Sequence, residues 1–478
     1  MHTRLLTGNR QRDGEALIIL STTTDLDWVD RHFGPVTHTS AEQAAKADIT
    51  YLHRIVHERH HFIAFVGAES DTAEQREDHR LAGAKLLEQL KHYRLTKVAL
   101  QCELPDAQAL VDFAEGLLLA AYQYTPYLSQ EKRGKLYRID QLRFSKGAVT
   151  LDALQALEAK VAATYAARDL VNTPPADKTA TKMAKQFEAY GAEHGFKVRV
   201  LDKKAIQKLK MGGVLAVNKG SNEPPTFSIL EYKPRKAVNK KPIVLVGKGV
   251  TYDTGGINIK TRGLGYMKSD MGGGAAVCGA FIAAAKAKLP VHIVGLVPAS
   301  DNRPGVDAYL PSDVITISDG TTVEIINTDA EGRLLLADAL VYAKQYKPQL
   351  VIDLATLTGS AAVAIGPEGL PYMGNGPDEA ARQLEAAGEA TYERLVRFPI
   401  WREYGQHMES QIADIKNLGK PHAGLISAGK FLEHFTDYPW FHFDIAGPSY
   451  MHQAEGYRTR EGTGVGVRML FEFLKMQA

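Results

Sequence analysis

Three short segments constrain this chain most: "PIVLVG" (242–247), "VHIVGLV" (291–297) and "QLVIDLAT" (349–356) are β-branched and almost wholly apolar. A strand with one wet face alternates polar and apolar residues, whereas a run that is apolar at nearly every position must be covered on both faces. Such strands call for helices above and below, the layering of an α/β protein with a mostly parallel or mixed sheet. The intervening chain supplies those helices, as in "RLLLADALVYAKQ" (333–345). Earlier in the chain, "ALIIL" (16–20), "HFIAFVG" (61–67) and "KVALQ" (97–101) read as strands, and 75–93 and 107–124 as helices, so a smaller α/β region precedes the larger one. At 478 residues the chain is too long for one core of typical size. The stretch 128–151 is polar and basic without a helical period and marks a junction near 140–150. The expected division is therefore an N-terminal α/β domain over 1–145 and a larger α/β domain over 150–478, opening on an alanine-rich helix over roughly 151–170.

Composition narrows the partners. A net charge of +2 gives no strong nucleic-acid footprint, and small molecules or peptides fit better as ligands. Cys102 and Cys278 are the only cysteines, which excludes a disulfide framework or a cysteine-based zinc motif. No stretch reaches membrane-spanning length and the N-terminal segment has no apolar signal core, so a soluble cytoplasmic protein is expected.

In open α/β sheets ligands bind beyond the carboxyl ends of the strands. There this chain places "VGKGVTYDTGGINIK" (246–260), with Lys248, Asp253 and Lys260, then "MKSDMGGGAAV" (267–277), with Asp270, and "NTDAEGR" (327–333), with Asp329, Glu331 and Arg333. Any one of these acids alone reads as a solvated loop charge or a helix cap. Together, in glycine-rich turns flanked by apolar elements, they read as a shared pocket, because uncompensated carboxylates are costly to desolvate and divalent cations remove that cost. Four carboxylates could bridge two ions about 3.5–4 Å apart. No histidine lies in these segments, so a zinc site of the HExxH kind is unsupported. The glycine run at 272–274 resembles a phosphate-cradling loop, but the P-loop spacing is missing and close helix–sheet approach explains the glycines as well.

The heptapeptide "NTDAEGR", with "GKGVTYDTGGINIK" (247–260) and "MKSDMGG" (267–273) in the same order, resembles the leucyl aminopeptidase family of cytosolic dinuclear metallo-exopeptidases. Further similarity runs through "RDLVNTPP" (168–175), "DLATLTGS" (353–360), "PIWREY" (399–404), "WFHFDIAG" (440–447) and "GTGVGVRML" (462–470), covering about 150–478. The resemblance implies a metal-dependent aminopeptidase with two divalent ions, zinc or manganese, held by Lys248, Asp253, Asp270, Asp329 and Glu331. It implies Lys260 and Arg333 as the catalytic pair, with Arg333 holding bicarbonate as general base. A bridging metal hydroxide would attack peptides bearing a free α-amine, leucine-like residues preferred. Met267, Asn327, Thr356 and Gly359 would line the substrate site, and six copies would form a homohexamer. Asp353 is a further candidate for substrate contact, whereas His442 and Asp444 read as structural. One departure stands out: "TRGLGYMKS" (261–269) is one residue shorter than the usual family loop and lacks its proline, which bears on side-chain preference. The competing reading is a non-catalytic scaffold on the same fold, for which keeping Lys260 and Arg333 among so many carboxylates has no physical use.

Overall fold

The apolar runs do form the centre of a sheet. In this computed structural model, which describes residues 3–8, 14–21, 51–67, 71–104 and 106–478, Ile243–Gly247 lies between Leu350–Ala355 and Ile293–Asn302, parallel to both. The chain divides into two compact units, Met1–Ala162 with Ala454–Thr459, and Ala163–Gln453 with Arg460–Ala478.

The second unit is built on a nine-stranded mixed sheet. From one edge the order runs Leu395–Arg397, Leu370–Gly374, Trp440–Asp444, Leu350–Ala355, Ile243–Gly247, Ile293–Asn302, Thr226–Tyr232 and Lys197–Leu201, and Gly249–Asp253 pairs with the far end of Ile293–Asn302. The central strands are buried at every position, as their composition requires. Val244, Val246, Leu296 and Val351 pack with Leu334, Leu335 and Leu340 of the helix Gly332–Ala343. Each such fully buried aliphatic contributes roughly 1.5–3 kcal/mol. The helix Gly272–Lys286 lies so close to the sheet that a Cβ on Gly273 would sit 1.9 Å from the Leu354 carbonyl oxygen, which accounts for a glycine there without a phosphate.

The residues leading into the third motif form a strand only over Thr322–Glu324, which belongs to a separate three-stranded sheet with Val314–Thr316 and Ile415–Lys416. One expectation changes. The polar stretch 128–151 contains the helix Gln130–Lys135 and the strand Gln141–Phe144, and the latter lies inside the sheet of the first unit. Its four residues are too few to show a period, and Arg143 is buried because it pairs with Glu15 at 2.9 Å.

That six-stranded sheet runs Arg4–Thr7, Gln141–Phe144, Lys97–Cys102, Ala16–Ser21, Arg59–Phe65 and Tyr51–Val56, parallel except for the last pair. The helix Ala73–His92 starts at a capping box of Thr72 and Gln75, and it packs on Ala107–Ala120, which ends earlier than its apolar run suggests. Their backbones touch at Gly83 and Gly116: a Cβ on Gly116 would lie 1.9 Å from the Arg80 carbonyl oxygen. No helix among the described residues is long and apolar enough to cross a membrane.

Candidate metal centre

The three motifs meet beyond the carboxyl end of the central strands. Lys248 follows Ile243–Gly247 directly, Asp253 ends Gly249–Asp253, Asp270 precedes the helix Gly272–Lys286, and Glu331 and Arg333 open Gly332–Ala343. Neither the Asp270 nor the Asp329 side chain caps the N-terminus of the helix it precedes: Gly272–Lys286 and Gly332–Ala343 start without a side-chain cap. The helix-cap explanation of these acids therefore fails.

What replaces it is one cluster. Lys248 Nζ lies 2.8 Å from Asp270 Oδ1 and 2.9 Å from Glu331 Oε1. Lys260 Nζ lies 2.7 Å from Asp253 Oδ2 and also pairs with Asp329. Carboxylate oxygens of Asp253, Asp329 and Glu331 fall within 4.8 Å of one another. Lys248, Asp253, Asp270 and Glu331 are each at most 5% exposed. Only a glycine follows Glu331 because a Cβ at Gly332 would lie 2.5 Å from Lys248 Cε and block the reach of that lysine.

The electrostatics are unbalanced. Two ammonium groups face four carboxylates, and Asp270 Oδ2 and Glu331 Oε2 are buried with no hydrogen-bond partner. Burial drives the Asp270 carboxyl well above the ordinary carboxylate range, with Lys248 opposing and Glu331 and Asp253 reinforcing. Burial likewise pushes Asp329 up to about 7, aided by Asp253 and Glu331 against Lys260. For Lys248 and Lys260 burial pulls the other way, yet the acids around each hold both above the normal lysine range. A buried, under-neutralised acid cluster with orphaned oxygens fits a site for divalent cations, whose hard charge suits oxygen donors.

Other residues tune this geometry. Thr356 is tied to the cluster twice, its carbonyl accepting from Lys248 Nζ at 2.9 Å and its hydroxyl donating to Asp270 Oδ1 at 2.8 Å. Asn327 Oδ1 accepts from the Asp329 backbone N–H at 2.7 Å, so its side chain shapes the loop. Met267 is half-buried in the 3₁₀ turn Leu264–Ser269, and Gly359 is exposed at the start of Gly359–Ile365. Asp353 is fully buried, holding Trp440 Nε1 and His442 Nδ1 at 2.6 Å each, which removes it from candidate substrate contacts. Arg333 is buried, with Nη1 on the Asn417 carbonyl at 2.8 Å and Nε without a partner. Burial lowers its guanidinium to about 10, against Glu331 and Asp444, leaving it cationic at neutral pH.

Three contributors escaped the motif reading. Asn302 Nδ2 donates to Asp253 Oδ1 at 2.8 Å and to the Thr328 carbonyl at 3.0 Å, linking two acid-bearing loops. Tyr309 donates its hydroxyl proton to the same Thr328 carbonyl at 2.8 Å. Asn417, next to the small sheet, accepts from Ile326 N and donates to the Asn327 carbonyl, both at 2.8 Å. Polar residues closing the apolar strand Ile293–Asn302 were a usable signal for Asn302; nothing local distinguishes Asn417 from other loop asparagines.

Residues 165–471 match the cytosol aminopeptidase family, catalytic domain. A probable cytosol aminopeptidase of Geobacter sulfurreducens is 45% identical over 375 residues, spanning 77% of this chain and 75% of its own. One from Chlorobaculum tepidum is 43% identical over 438 residues, spanning 86% and 85%. Among solved structures, the bottromycin maturation enzyme BotP in complex with Mn aligns with a TM-score of 0.83 at 30% identity, covering 97% of this chain and 99% of that one. A tomato leucine aminopeptidase mutant aligns with a TM-score of 0.87 at 27% identity, covering 99% and 97%. With more than half its length matched, the chain belongs to the cytosol aminopeptidase family of metal-dependent peptide hydrolases.

Proposed function

We propose that this protein removes the N-terminal residue from peptides with a free α-amine, using two divalent ions held by Lys248, Asp253, Asp270, Asp329 and Glu331. The observation that carries the reading is the gathered set of Asp253, Asp329 and Glu331 oxygens beside the orphaned oxygens of Asp270 and Glu331. When bound, a pair of zinc or manganese ions would supply an acidified water as nucleophile and an anchor for the substrate's α-amine and scissile carbonyl. That anchor demands an unblocked N-terminus, which makes the activity exopeptidic. Lys248 would serve as a ligand in its neutral amine form, since metal binding selects the deprotonated donor.

The chain's own groups divide the remaining work. Lys260, kept cationic by Asp253, Glu331 and Asp329 despite its burial, polarises the carbonyl and stabilises the developing oxyanion. Arg333, fixed through Asn417 with Nε unengaged, offers a planar fork to a carbonate-like anion, and bicarbonate is its proposed occupant as general base. Met267, with Thr356, Gly359 and the loop of Asn327, is proposed to border the substrate side chain and favour leucine-like residues. The domain over 150–478 is proposed to carry all of this chemistry, in a cytoplasmic homohexamer.

The test compares leucine anilide with its N-acetyl form, with Mn²⁺ or Zn²⁺ and then with chelator. Hydrolysis confined to the free amine and abolished by chelator supports the reading. Turnover of the capped substrate, or indifference to chelator, sinks it, and no turnover at all favours a scaffold.

A further inference from the structure

Lys178 is among the largest side chains fully buried in the molecule, and the function above makes no use of it. Its Nζ donates to two backbone carbonyls, Val171 O at 3.0 Å and Lys268 O at 2.5 Å. Burial, reinforced by Lys268 as a second cation, pushes its ammonium well below the ordinary lysine range. A buried lysine among carbonyls is a costly choice for a core, and an apolar residue would fill the space without that cost. Either protonation state still has enough protons for two carbonyls.

The second carbonyl belongs to the 3₁₀ turn Leu264–Ser269, which carries Met267 and leads into Asp270. Lys268 answers in the opposite direction: its Nζ donates to the Asn172 carbonyl at 3.2 Å and pairs with Glu461 at 2.8 Å. Asn172 Oδ1 in turn accepts from Gly462 N at 2.8 Å, and Glu461 takes a left-handed backbone (φ 73°) to reach this latch. Three separated segments, 171–178, 264–270 and 461–462, are thus fastened around two lysines.

We propose that Lys178 is a positioning residue that holds the Leu264–Ser269 turn from behind and thereby sets the substrate side-chain wall at Met267. The proposal rests on the reading of Met267 as a pocket residue.

The experiment uses the full-length, metal-loaded enzyme with Lys178→Met, which keeps most of the volume and removes the donor. Expected are a KM for leucyl anilide raised about tenfold, a leucyl-over-alanyl preference reduced about tenfold, and kcat within about threefold of wild type, since pocket fit of one methylene is worth roughly 10–200-fold. Amide exchange over 264–270 should speed up about tenfold while the helix Gly272–Lys286 is unchanged, as loss of a local fastening predicts. Unchanged KM and preference in a folded variant, or exchange no faster in that turn, overturn the proposal. If Lys178→Met does not fold, Lys268→Met decides: the same changes in the same direction support the latch, and wild-type values overturn it. If wild type itself fails to hydrolyse leucyl anilide, the function reading is at fault, and the exchange result still judges the latch.

Discussion

Each unit of this molecule buries a cluster of charges, and the two clusters are built on opposite rules. In the N-terminal unit Arg80 meets Glu77 at 3.3 Å and Asp112 at 3.0 Å, Arg76 meets Asp112 at 2.8 Å, and Lys160 meets Glu115 at 2.6 Å. Glu77 is completed by Arg458 at 3.1 Å and by the Tyr457 hydroxyl at 2.8 Å. Each of these carboxylates is paired with at least one cation, so the acids of this cluster are neutralised within it and the cluster is closed. In the second unit four carboxylates share two lysines, and two of their oxygens have nothing to accept from. A buried charge cluster that serves only the fold satisfies itself, whereas one that serves a ligand is left open for it.

Substitutions can break this contrast from either side. The largest effect is expected from Glu331→Gln, which removes a charge common to both halves of the open cluster: kcat/KM should fall by at least about 10³-fold, the upper range for an electrostatic group aimed at a transition state, with thermal unfolding of the metal-free protein little changed. Steady-state kinetics and calorimetry on one preparation check both. In the closed cluster the balance inverts, and Asp112→Ala, which removes the carboxylate shared by Arg80 and Arg76, should cost roughly 3–5 kcal/mol of stability. Denaturant titration reads that loss, and kinetic constants at wild-type values in the surviving folded fraction complete the test. Lys260→Met sharpens the assignment within the site, since loss of one oxyanion donor costs about 10²–10³-fold in kcat, with KM changed far less. Smallest is Gly116→Ala: its methyl would meet the Arg80 carbonyl at 1.9 Å, and overpacking of this kind costs about 1–3 kcal/mol without altering catalysis.

The same contrast explains what could be read from the chain. Ile243–Gly247, Ile293–Asn302 and Leu350–Ala355 were legible because burial on both faces leaves no room for polar residues. The acids of the open cluster were legible because they break apolar runs without any local reason to do so. Gln141–Phe144 was hidden by its shortness and by Arg143, whose charge looks like a linker residue until Glu15, far away in sequence, is placed beside it. Asn302, Asn417 and Lys178 were hidden for a related reason: their roles are set by backbone carbonyls and side chains from other segments, and no spacing rule encodes such partners. The closed cluster of Arg80 was invisible too, because Glu77, Asp112 and Glu115 sit at helical positions that would serve equally well on a wet face.

The orphaned oxygens of Asp270 and Glu331 are proposed to hold divalent cations. Elemental analysis of the purified protein, before and after chelation and reloading with Mn²⁺ or Zn²⁺, tests it most directly alongside leucyl anilide hydrolysis. Two ions per chain, with activity lost and regained in step with them, is the expected result. A chelated protein that binds no divalent metal, or that hydrolyses the substrate at full rate without it, contradicts the claim.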